Sequence, residues 1–312
     1  GFIGSHIVDR LVELGHEVVV IDNLSAESNE KFYYNDKATY HELDISDYKG
    51  TKDLYNGCDY VFHLAAESRL QLATNNPIEA TNKNVVGTCT VLQCSREAGV
   101  KRVIYSSTSS AYGNNPIPNV EIQPDDCLNP YSVTKVAGEK LCKMYNDLYG
   151  LETIIFRYFN LAGADPENDI GENHEPETHL IPRILQNLNS FELYGDDYDT
   201  PDGSCIRDYV HVSDVAEAHI SGIEYLMNGG ESQLLNLGTG KGHSNYEIIN
   251  LIIDELGLPV KYKVKARRQG DPDRLVADIT LAQKVLNYQP KHDIISILKT
   301  AYEWHKKYDK KV

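Results

Sequence analysis

Hydrophobic residues recur with two different periods along the first half of the chain. β-Branched runs such as "HEVVVID" (16–22), bounded by turn-forming residues, predict short buried strands, and the longer amphipathic stretches between them predict helices. The predicted strands cover 16–22, 38–45, 59–66, 101–107 and 151–160. Strands that alternate with helices predict an α/β fold with a doubly wound parallel Rossmann sheet, covered by helices on both faces.

Two helices of this half carry clear end signals. One covers roughly 77–98, begins with a proline and is followed by Gly99 as its C-terminal cap. The other follows the N-cap Asn129 and ends at Gly150. Each helix directly precedes a predicted strand, as expected for βαβ units.

The pattern changes after Asn160. An acidic stretch rich in proline and glycine leads into predicted helices at 178–189, 213–228, 244–257 and 293–308, with short strands between them. We predict a cofactor-binding domain at 1–160 and a smaller C-terminal α/β substrate domain at 161–312. We also expect some elements of the second segment to return to the first.

The opening "GFIGSH" resembles the end of a dinucleotide-binding fingerprint. Gly1 and Gly4 precede an amphipathic run, and Asp22 ends the next strand, 18 residues after Gly4. Such glycines let a pyrophosphate approach a helix N-terminus, and the acidic residue accepts hydrogen bonds from a ribose. A carboxylate there favours NAD over NADP. Because a strand normally precedes the fingerprint, we expect about ten further residues, ending in a glycine, before Gly1 in the natural chain.

Charge and cysteine content narrow the classes of partner. Thirty basic and 46 acidic side chains give a net charge of −16, which argues against nucleic acid as a partner. No apolar run approaches the roughly 20 residues of a membrane span, so no membrane partner is expected. The six cysteines form no CxxC pair, which predicts free thiols in a reducing compartment, the cytoplasm.

The strongest candidate chemistry lies in "NPYSVTK". Tyr131 and Lys135 are four residues apart, hence on one face of a predicted helix. An ammonium stabilises a phenolate, so the pair can transfer protons near neutral pH. "YSSTSSAYG" places Thr108 at the end of a predicted strand, where side chains of a doubly wound sheet face the ligand crevice.

Two other segments resemble metal sites without their spacing. In "HEPETH" (174–179) the histidines are five residues apart with Pro176 between them, so they cannot share a helical face as in HExxH. "DDYDTPDG" (196–203) lacks the ligand spacing of a calcium loop and is interpreted as an acidic turn. No metal site is predicted.

Motifs along the whole chain resemble the extended short-chain dehydrogenase/reductases and, within them, the UDP-glucose 4-epimerase family. The resemblance rests on "GFIGSH", "IDNLS", "HLAAES", "SSTSSAYG", "PYSVTK", "RYFNLAGADP", "DGSCIRDYVHV" and "RRQGDPDRLVAD". The later motifs are the most specific. The family binds NAD as cofactor and commonly forms homodimers through helices like those at 77–98 and 129–150.

The resemblance also implies roles for individual residues. It makes Thr108, Tyr131 and Lys135 catalytic. The residues expected to hold the cofactor are Gly1, Gly4, Asp22, Asn23, Asp44, Ile45, Leu64, Ala65, Ala66, Asn84, Ser106, Tyr131, Lys135 and Tyr158, with Phe159 packed nearby. The residues expected to hold the UDP-sugar are Thr108, Tyr131, Asn160, His179, Leu180, Arg207, Arg268, Asp271 and Leu275.

The implied activity is interconversion of UDP-glucose and UDP-galactose through a 4-keto intermediate. The segment "HLAAESRLQLA" looks more like epimerases of N-acetylated sugars, whereas the second half looks more like glucose-type enzymes. Leu275 falls at the position that gates the sugar 2-substituent. UDP-N-acetylglucosamine epimerisation, a related nucleotide-sugar dehydratase or reductase, and a non-catalytic NAD-sensing protein are the alternatives.

Overall fold

A computed structural model describes residues 1–26, 33–165, 167, 170–174, 176–268 and 270–308. The strands are β1 (Val19–Asp22), β2 (Thr39–Glu42), β3 (Tyr60–His63), β4 (Arg102–Thr108), β5 (Glu152–Tyr158), β6 (Asn160–Ala162), β7 (Ala164–Asp165), β8 (Ile170–Gly171), β9 (Phe191–Tyr194), β10 (Ile206–His211), β11 (Gln233–Leu237), β12 (Gly242–Ser244), β13 (Tyr262–Lys265) and β14 (Arg274–Leu275). The α-helices are α1 (Phe2–Glu13), α2 (Tyr48–Thr51), α3 (Leu70–Asn75), α4 (Pro77–Thr81), α5 (Gly87–Glu97), α6 (Pro130–Tyr149), α7 (Leu180–Gln186), α8 (Val212–Met227), α9 (Asn245–Leu256), α10 (Thr280–Leu286) and α11 (Ile294–Tyr308).

The main sheet is parallel and has the order β11-β5-β4-β3. Strands β1 and β2 form a second, two-stranded parallel sheet. The register of β4 on β5 places Ser106 opposite Phe156 and Thr108 opposite Tyr158, so the polar ends of both strands lie side by side. The strand that we expect before Gly1 stays a prediction.

Helices cover both faces of the main sheet because alternate strand residues point in opposite directions. On one face Val103 and Tyr105 pack with residues of α5 and α6, such as Leu92 and Cys142. On the other face Ile104 packs with residues of α8 and α10. This arrangement confirms the predicted α/β fold class.

The second half builds its own core and also returns to the main sheet. Strand β10 pairs with β6, β12 and β14, and β9 pairs with β13. Helices α7, α9 and α11 enclose an apolar cluster that includes Ile184, Ile249 and Ile297. Strand β11 pairs with β5 along its whole length. The exposed strand β13 and the short helix α10 were not predicted.

The helix predicted at 77–98 contains a feature that periodicity does not reveal. Helix α4 leads through one π-helical segment, Asn82–Val86, into α5. π-Segments inside α-helices are uncommon and frequent near functional sites. The segment holds Asn84, whose buried side chain forms hydrogen bonds with Glu67, in the loop after β3, and with Thr134 of α6.

Two further predictions concern the chain as a whole. In the described part of the chain, no helix combines the length and apolar character that a membrane span requires. All six cysteines are free thiols, as predicted.

Candidate active site

A cleft of about 1310 Å³ runs past the ends of strands β1, β3, β4 and β5 and reaches the second half of the chain. The predicted site residues that line it are Gly1, Gly4, Asp22, Asn23, Asp44, Ile45, Leu64, Ala65, Ala66, Ser106, Thr108, Tyr131, Lys135, Tyr158, Asn160, His179, Leu180, Arg207, Arg268, Asp271 and Leu275. Of the predicted site residues, Asn84 does not line the cleft. Residues far apart in sequence thus share one cavity.

One end of the cleft is formed by the start of α1 and the end of β1. A Cβ atom added to Gly1 or Gly4 would meet no atom within 4 Å, so backbone rather than side chain faces the cavity here. The side chain of Asp22, at the end of β1, remains 37% exposed and reachable by a ligand. Open backbone amides beside a helix N-terminus suit a pyrophosphate, and the carboxylate suits ribose hydroxyls.

Asn23 and Asp44 lie at the same end of the cleft and are joined by a hydrogen bond. The Asn23 amide donates to Asp44 Oδ2 at 2.8 Å, while the Ser46 backbone N–H and hydroxyl donate to Oδ1. Burial would raise the pKa of Asp44, but these hydrogen bonds outweigh it and hold the pKa below its usual value. Asp44 therefore stays an acceptor at neutral pH.

Asn84 forms the wall behind the cleft instead of its lining. Its side chain accepts from the Glu67 backbone N–H at 2.7 Å and donates to the Glu67 carbonyl and to Thr134 on α6. Asn84 therefore lies behind the cleft lining, and its predicted contact with the cofactor stays a prediction. Arg69, which the sequence analysis missed, forms a bidentate ion pair with Glu67 in the same wall.

Thr108, Tyr131 and Lys135 meet where β4 ends and α6 begins. Asn129 caps α6 by accepting from the Ser132 N–H at 2.9 Å, which fixes the first turn and with it Tyr131. Burial raises the pKa of the Tyr131 phenol, and the adjacent Thr108 hydroxyl opposes that rise. The phenol is therefore protonated in the free protein at neutral pH.

Lys135 lies one helical turn after Tyr131 on α6, is buried and is 3% exposed. Its Nζ lies 4.4 Å from the centre of the Tyr105 ring, a cation–π contact that partly replaces lost hydration. Burial lowers the pKa of Lys135 to about 8. At pH 7 the ammonium form still predominates, so a positive charge is available to stabilise a phenolate on Tyr131.

Ser106 and Tyr158 belong to a buried hydrogen-bond chain that ends at His219, a residue missed by sequence reasoning. The His219 Nδ1–H donates to the Val215 carbonyl at 2.7 Å, so Nε2 must accept from the Tyr158 hydroxyl at 2.6 Å. Tyr158 then accepts from Ser106 at 2.6 Å. The chain holds the floor of the cleft in one arrangement.

His219 provides a prediction about acid stability. Burial lowers the pKa of His219 to about 4, so between pH 6.5 and 4 the unfolded state binds the proton and the folded state does not. Stability then falls as the pH falls, by about 2 kcal/mol from this group between pH 7 and 5. Urea unfolding at pH 7 and at pH 5 measures this effect. The difference in free energy of unfolding between wild type and His219→Gln should be about 2 kcal/mol smaller at pH 5 than at pH 7. His16→Gln, at an exposed position, should show no such change; an equal loss at both pH values for His219→Gln would contradict the assignment.

Arginines line the other end of the cleft. Arg207 is buried and donates to Asp271 and, at 2.7 Å, to the Pro272 carbonyl. Arg268 lies 4.5 Å from the Tyr194 ring centre, and Arg183, which was not predicted, lies 5.0 Å from the same ring. Among the described residues, neither Arg183 nor Arg268 has a carboxylate within ion-pair distance. Guanidinium groups without a carboxylate suit an anionic ligand such as a diphosphate.

Leu275 and Asn160 lie between these two ends. Leu275 is 4% exposed and packs with Tyr112, Phe159 and Ala277. Asn160, at the start of β6, pairs with Tyr209 of β10. The position of Leu275 in the cleft wall is consistent with the predicted gate, whose role stays a prediction.

The two histidines of "HEPETH" precede α7 and share no helical face, as expected, yet their rings come together. His174 and His179 have ring centres 5.6 Å apart, and both face Glu172; Glu177 completes the group. Burial would raise the pKa of Glu172, but the imidazoles hold it well below its usual range. Burial would lower the pKa of His174, yet Glu172 and Glu177 raise it to about 10, and Glu172 raises that of His179. Helical periodicity could not reveal this cluster because a loop forms it.

The fold and this cleft define a Rossmann-type nucleotide-binding protein. The sequence profile of the NAD dependent epimerase/dehydratase family matches residues 1–238, and the chain belongs to that family. It is 41% identical to the UDP-glucose 4-epimerase of Halalkalibacterium halodurans over 99% of this chain and 94% of that relative.

Solved structures of similar sequence support the same family. The UDP-glucose 4-epimerase of Brucella ovis in complex with NAD matches with a TM-score of 0.91 and 38% identity, over 97% of this chain and 95% of that one. The UDP-Glc/GlcNAc 4-epimerase of Campylobacter jejuni matches with a TM-score of 0.81 and 32% identity, over 98% and 97%. The predicted family resemblance is confirmed, while the roles of individual residues stay predictions.

Proposed function

We propose that this protein is an NAD-dependent UDP-hexose 4-epimerase that interconverts UDP-glucose and UDP-galactose. The observation that carries the proposal is the meeting of Thr108, Tyr131 and Lys135 in one cleft, between an end suited to a dinucleotide and an end lined by arginines. Relatives that share the whole length of the chain carry this activity in their names, which supports the same assignment.

The open backbone at Gly1 and Gly4 and the reachable Asp22 fit NAD. When bound, NAD supplies the hydride acceptor and donor for transient oxidation at C4 of the sugar. The chain holds the cofactor at the end of the cleft formed by α1, β1 and the residues that follow β3. The arginine end holds the UDP group, which places the sugar between them.

Tyr131 acts in its phenolate form, after its own proton has been released to solvent: the phenolate removes the proton from the sugar 4-hydroxyl and returns it at the end of the reaction. Thr108 donates or accepts a hydrogen bond at the same oxygen and orients it. The Lys135 ammonium, buried one helical turn away, lowers the free energy of the phenolate form. The sugar must turn over between the two halves of the reaction, so the arginine contacts must hold the diphosphate while leaving the hexose free to rotate.

Incubation with UDP-glucose or UDP-galactose, followed by chromatographic separation of the nucleotide sugars, tests the proposal. We expect each sugar to yield a mixture of both without net reduction or oxidation of added NAD. Release of a 4-keto-6-deoxy product would indicate a dehydratase. Binding of NAD without conversion of any UDP-sugar would favour the non-catalytic alternative.

We further propose that the N-acetylated pair is also converted, because Leu275 is smaller than an aromatic gate. Leu275→Tyr should lower kcat/KM for UDP-N-acetylglucosamine by roughly 10–200-fold, the effect of one steric contact of about 1–3 kcal/mol, and much less for UDP-glucose. Steady-state kinetics on both substrates measures the difference. Leu275→Met, which keeps the volume similar, is the matched control. Equal losses for both substrates would show that Leu275 is not the gate.

The proposed homodimer forms through the helices α4–α5 and α6. Their exposed apolar side chains include Ile78, Val86, Val133 and Leu148, between 46% and 76% exposed. Patches of this kind on two neighbouring helices commonly mark subunit interfaces. Sedimentation velocity should report twice the chain mass, and Leu148→Lys should shift the protein toward monomer. A wild-type monomer at micromolar concentration would exclude this interface.

We assign residues 1–160 to the cofactor domain and 161–312 to the substrate domain, with β11 returning to the first. The six free thiols support a reducing compartment, the cytoplasm.

A further inference from the structure

We propose that Glu172, His174, Glu177 and His179 form a binding site for a divalent transition metal, with Zn²⁺ as the preferred ion. The four side chains come from one segment between β8 and α7. One ligand atom from each side chain, a ring nitrogen of each histidine and a carboxylate oxygen of each glutamate, lies within 4.8 Å of all the others. The site adjoins the proposed substrate cleft and shares His179 with it, but metal binding can be tested without the epimerase reaction.

His174 Nδ1 lies at coordination spacing from both carboxylates, whereas His179 Nδ1 and Glu172 Oε1 are in direct hydrogen-bond contact, which a bound ion would have to open. His174 Nδ1 lies 3.4 Å from Glu172 Oε1 and 3.6 Å from Glu177 Oε2. Bonds of about 2.0–2.1 Å to a tetrahedral zinc ion separate its ligand atoms by about 3.3–3.4 Å. Among the described residues, His174 Nδ1 is buried and has no hydrogen-bond partner, which is costly for an imidazole nitrogen unless an ion or proton satisfies it.

The surrounding hydrogen bonds hold these side chains in place and partly use the ligand atoms themselves: Glu177 Oε2 accepts from the His174 backbone N–H at 3.3 Å, and His179 Nδ1 contacts Glu172 Oε1. Glu177 Oε1 accepts from the backbone N–H groups of Thr178 and His179 at 2.7 and 2.9 Å. These bonds fix the carboxylate and leave Oε2 directed at His174, the outer-shell support that bound metals normally have. The Glu172 and Glu177 side chains are only 5% and 3% exposed, so both carboxylates require nearby positive charge.

The charge of the group is balanced by a divalent cation. Two carboxylates and two neutral imidazoles carry a charge of minus two, which one divalent ion neutralises. Without the ion, protons on both imidazoles give the same balance, so metal and protons compete for the site. Two imidazoles and two carboxylates favour Zn²⁺ over Mg²⁺ or Ca²⁺, which prefer oxygen ligands alone.

The position of the four side chains predicts how a bound ion would affect the structure. His179 is the N-cap residue of α7 and lines the cleft, whereas Glu172 follows β8 and is buried. A metal bound to both would tie the start of α7, and the cleft wall next to Leu180, to the β7–β8 hairpin. We expect the ion to stabilise this wall and take no part in proton transfer at Tyr131.

The test is metal binding by tag-free protein that has been stripped with a chelator. Titration with Zn²⁺ against a chromophoric competitor should show one tight site per chain, accompanied by a rise in Tm. Co²⁺ should bind at the same site and give the visible absorption of a tetrahedral complex. A wild-type protein with no stoichiometric Zn²⁺ binding at micromolar free metal would overturn the proposal.

Variants separate this site from other histidines. His174→Gln and, independently, Glu177→Gln should weaken Zn²⁺ binding by at least about 100-fold, the upper end of the loss caused by second-shell changes. His243→Gln is the matched control, because His243 contacts Glu247 at 2.7 Å in an exposed pair outside the cluster. Circular dichroism and NAD binding verify that each variant is folded. Undiminished Zn²⁺ binding in folded His174→Gln and Glu177→Gln proteins would place the ion elsewhere and refute the assignment.

Discussion

Tyr131→Phe is expected to lower kcat for UDP-galactose epimerisation by about 10²–10⁴-fold, the contribution typical of one positioned acid–base group. The substitution removes only the phenolic oxygen from a half-buried ring that keeps its place in the first turn of α6. KM should change much less, because the arginine end of the cleft supplies most of the contacts to the nucleotide. Steady-state kinetics together with NAD content measures both effects.

Tyr149→Phe is the matched control on the same helix. Tyr149 is 47% exposed at the C-terminal end of α6, and its ring contacts the Arg96 guanidinium at 3.9 Å, a contact that phenylalanine can retain. That variant should keep nearly full activity. If Tyr131→Phe also kept near-full kcat with a normal NAD content, another group would have to act as the base and the proposed mechanism would be wrong.

The predicted parts of the site are those that local sequence patterns determine. The ends of α6 could be predicted because Asn129, Pro130 and Gly150 are local signals whose chemistry does not depend on the rest of the protein. The position of Thr108 followed from the rule that side chains at the ends of parallel strands face a common crevice. Local propensity and tertiary packing agree at these positions, so the prediction holds.

The missed features depend on contacts between distant segments. Nothing near His219 indicates that it bonds Tyr158, which lies 61 residues away in sequence. The π-segment Asn82–Val86 breaks no hydrophobic periodicity, yet it brings the Asn84 side chain to Glu67 and Thr134. Likewise, the cluster at Glu172 and His179 depends on a loop conformation, for which sequence periodicity carries no information.

The second large effect is expected at the ion pair between Glu139 of α6 and Arg157 of β5. Arg157 Nε and Nη2 donate to the two Glu139 oxygens at 2.8 and 2.6 Å, and Nη2 also contacts Asp125 at 2.7 Å. The side chains of Arg157 and Glu139 are 3% and 7% exposed. Arg157→Leu leaves the Glu139 carboxylate buried without its bidentate partner, next to Ser107.

Breaking a buried ion pair by removing one partner typically costs about 3–5 kcal/mol, because the remaining charge stays desolvated. We therefore expect Arg157→Leu to lower the free energy of unfolding by that amount in urea titrations. Lys143→Gln is the control: it disrupts the Lys143–Asp147 contact of 2.7 Å, whose side chains are 73% and 52% exposed, and should change stability by less than about 0.5 kcal/mol. The double variant Arg157→Leu/Glu139→Leu should recover part of the loss, since the deeply buried Glu139 carboxylate is gone and Asp125, 30% exposed, keeps Lys140 at 3.6 Å. Glu139→Leu alone completes the comparison: a double variant whose loss equals the sum of the Arg157→Leu and Glu139→Leu losses would show that the cost comes from packing instead of from the unpaired charge.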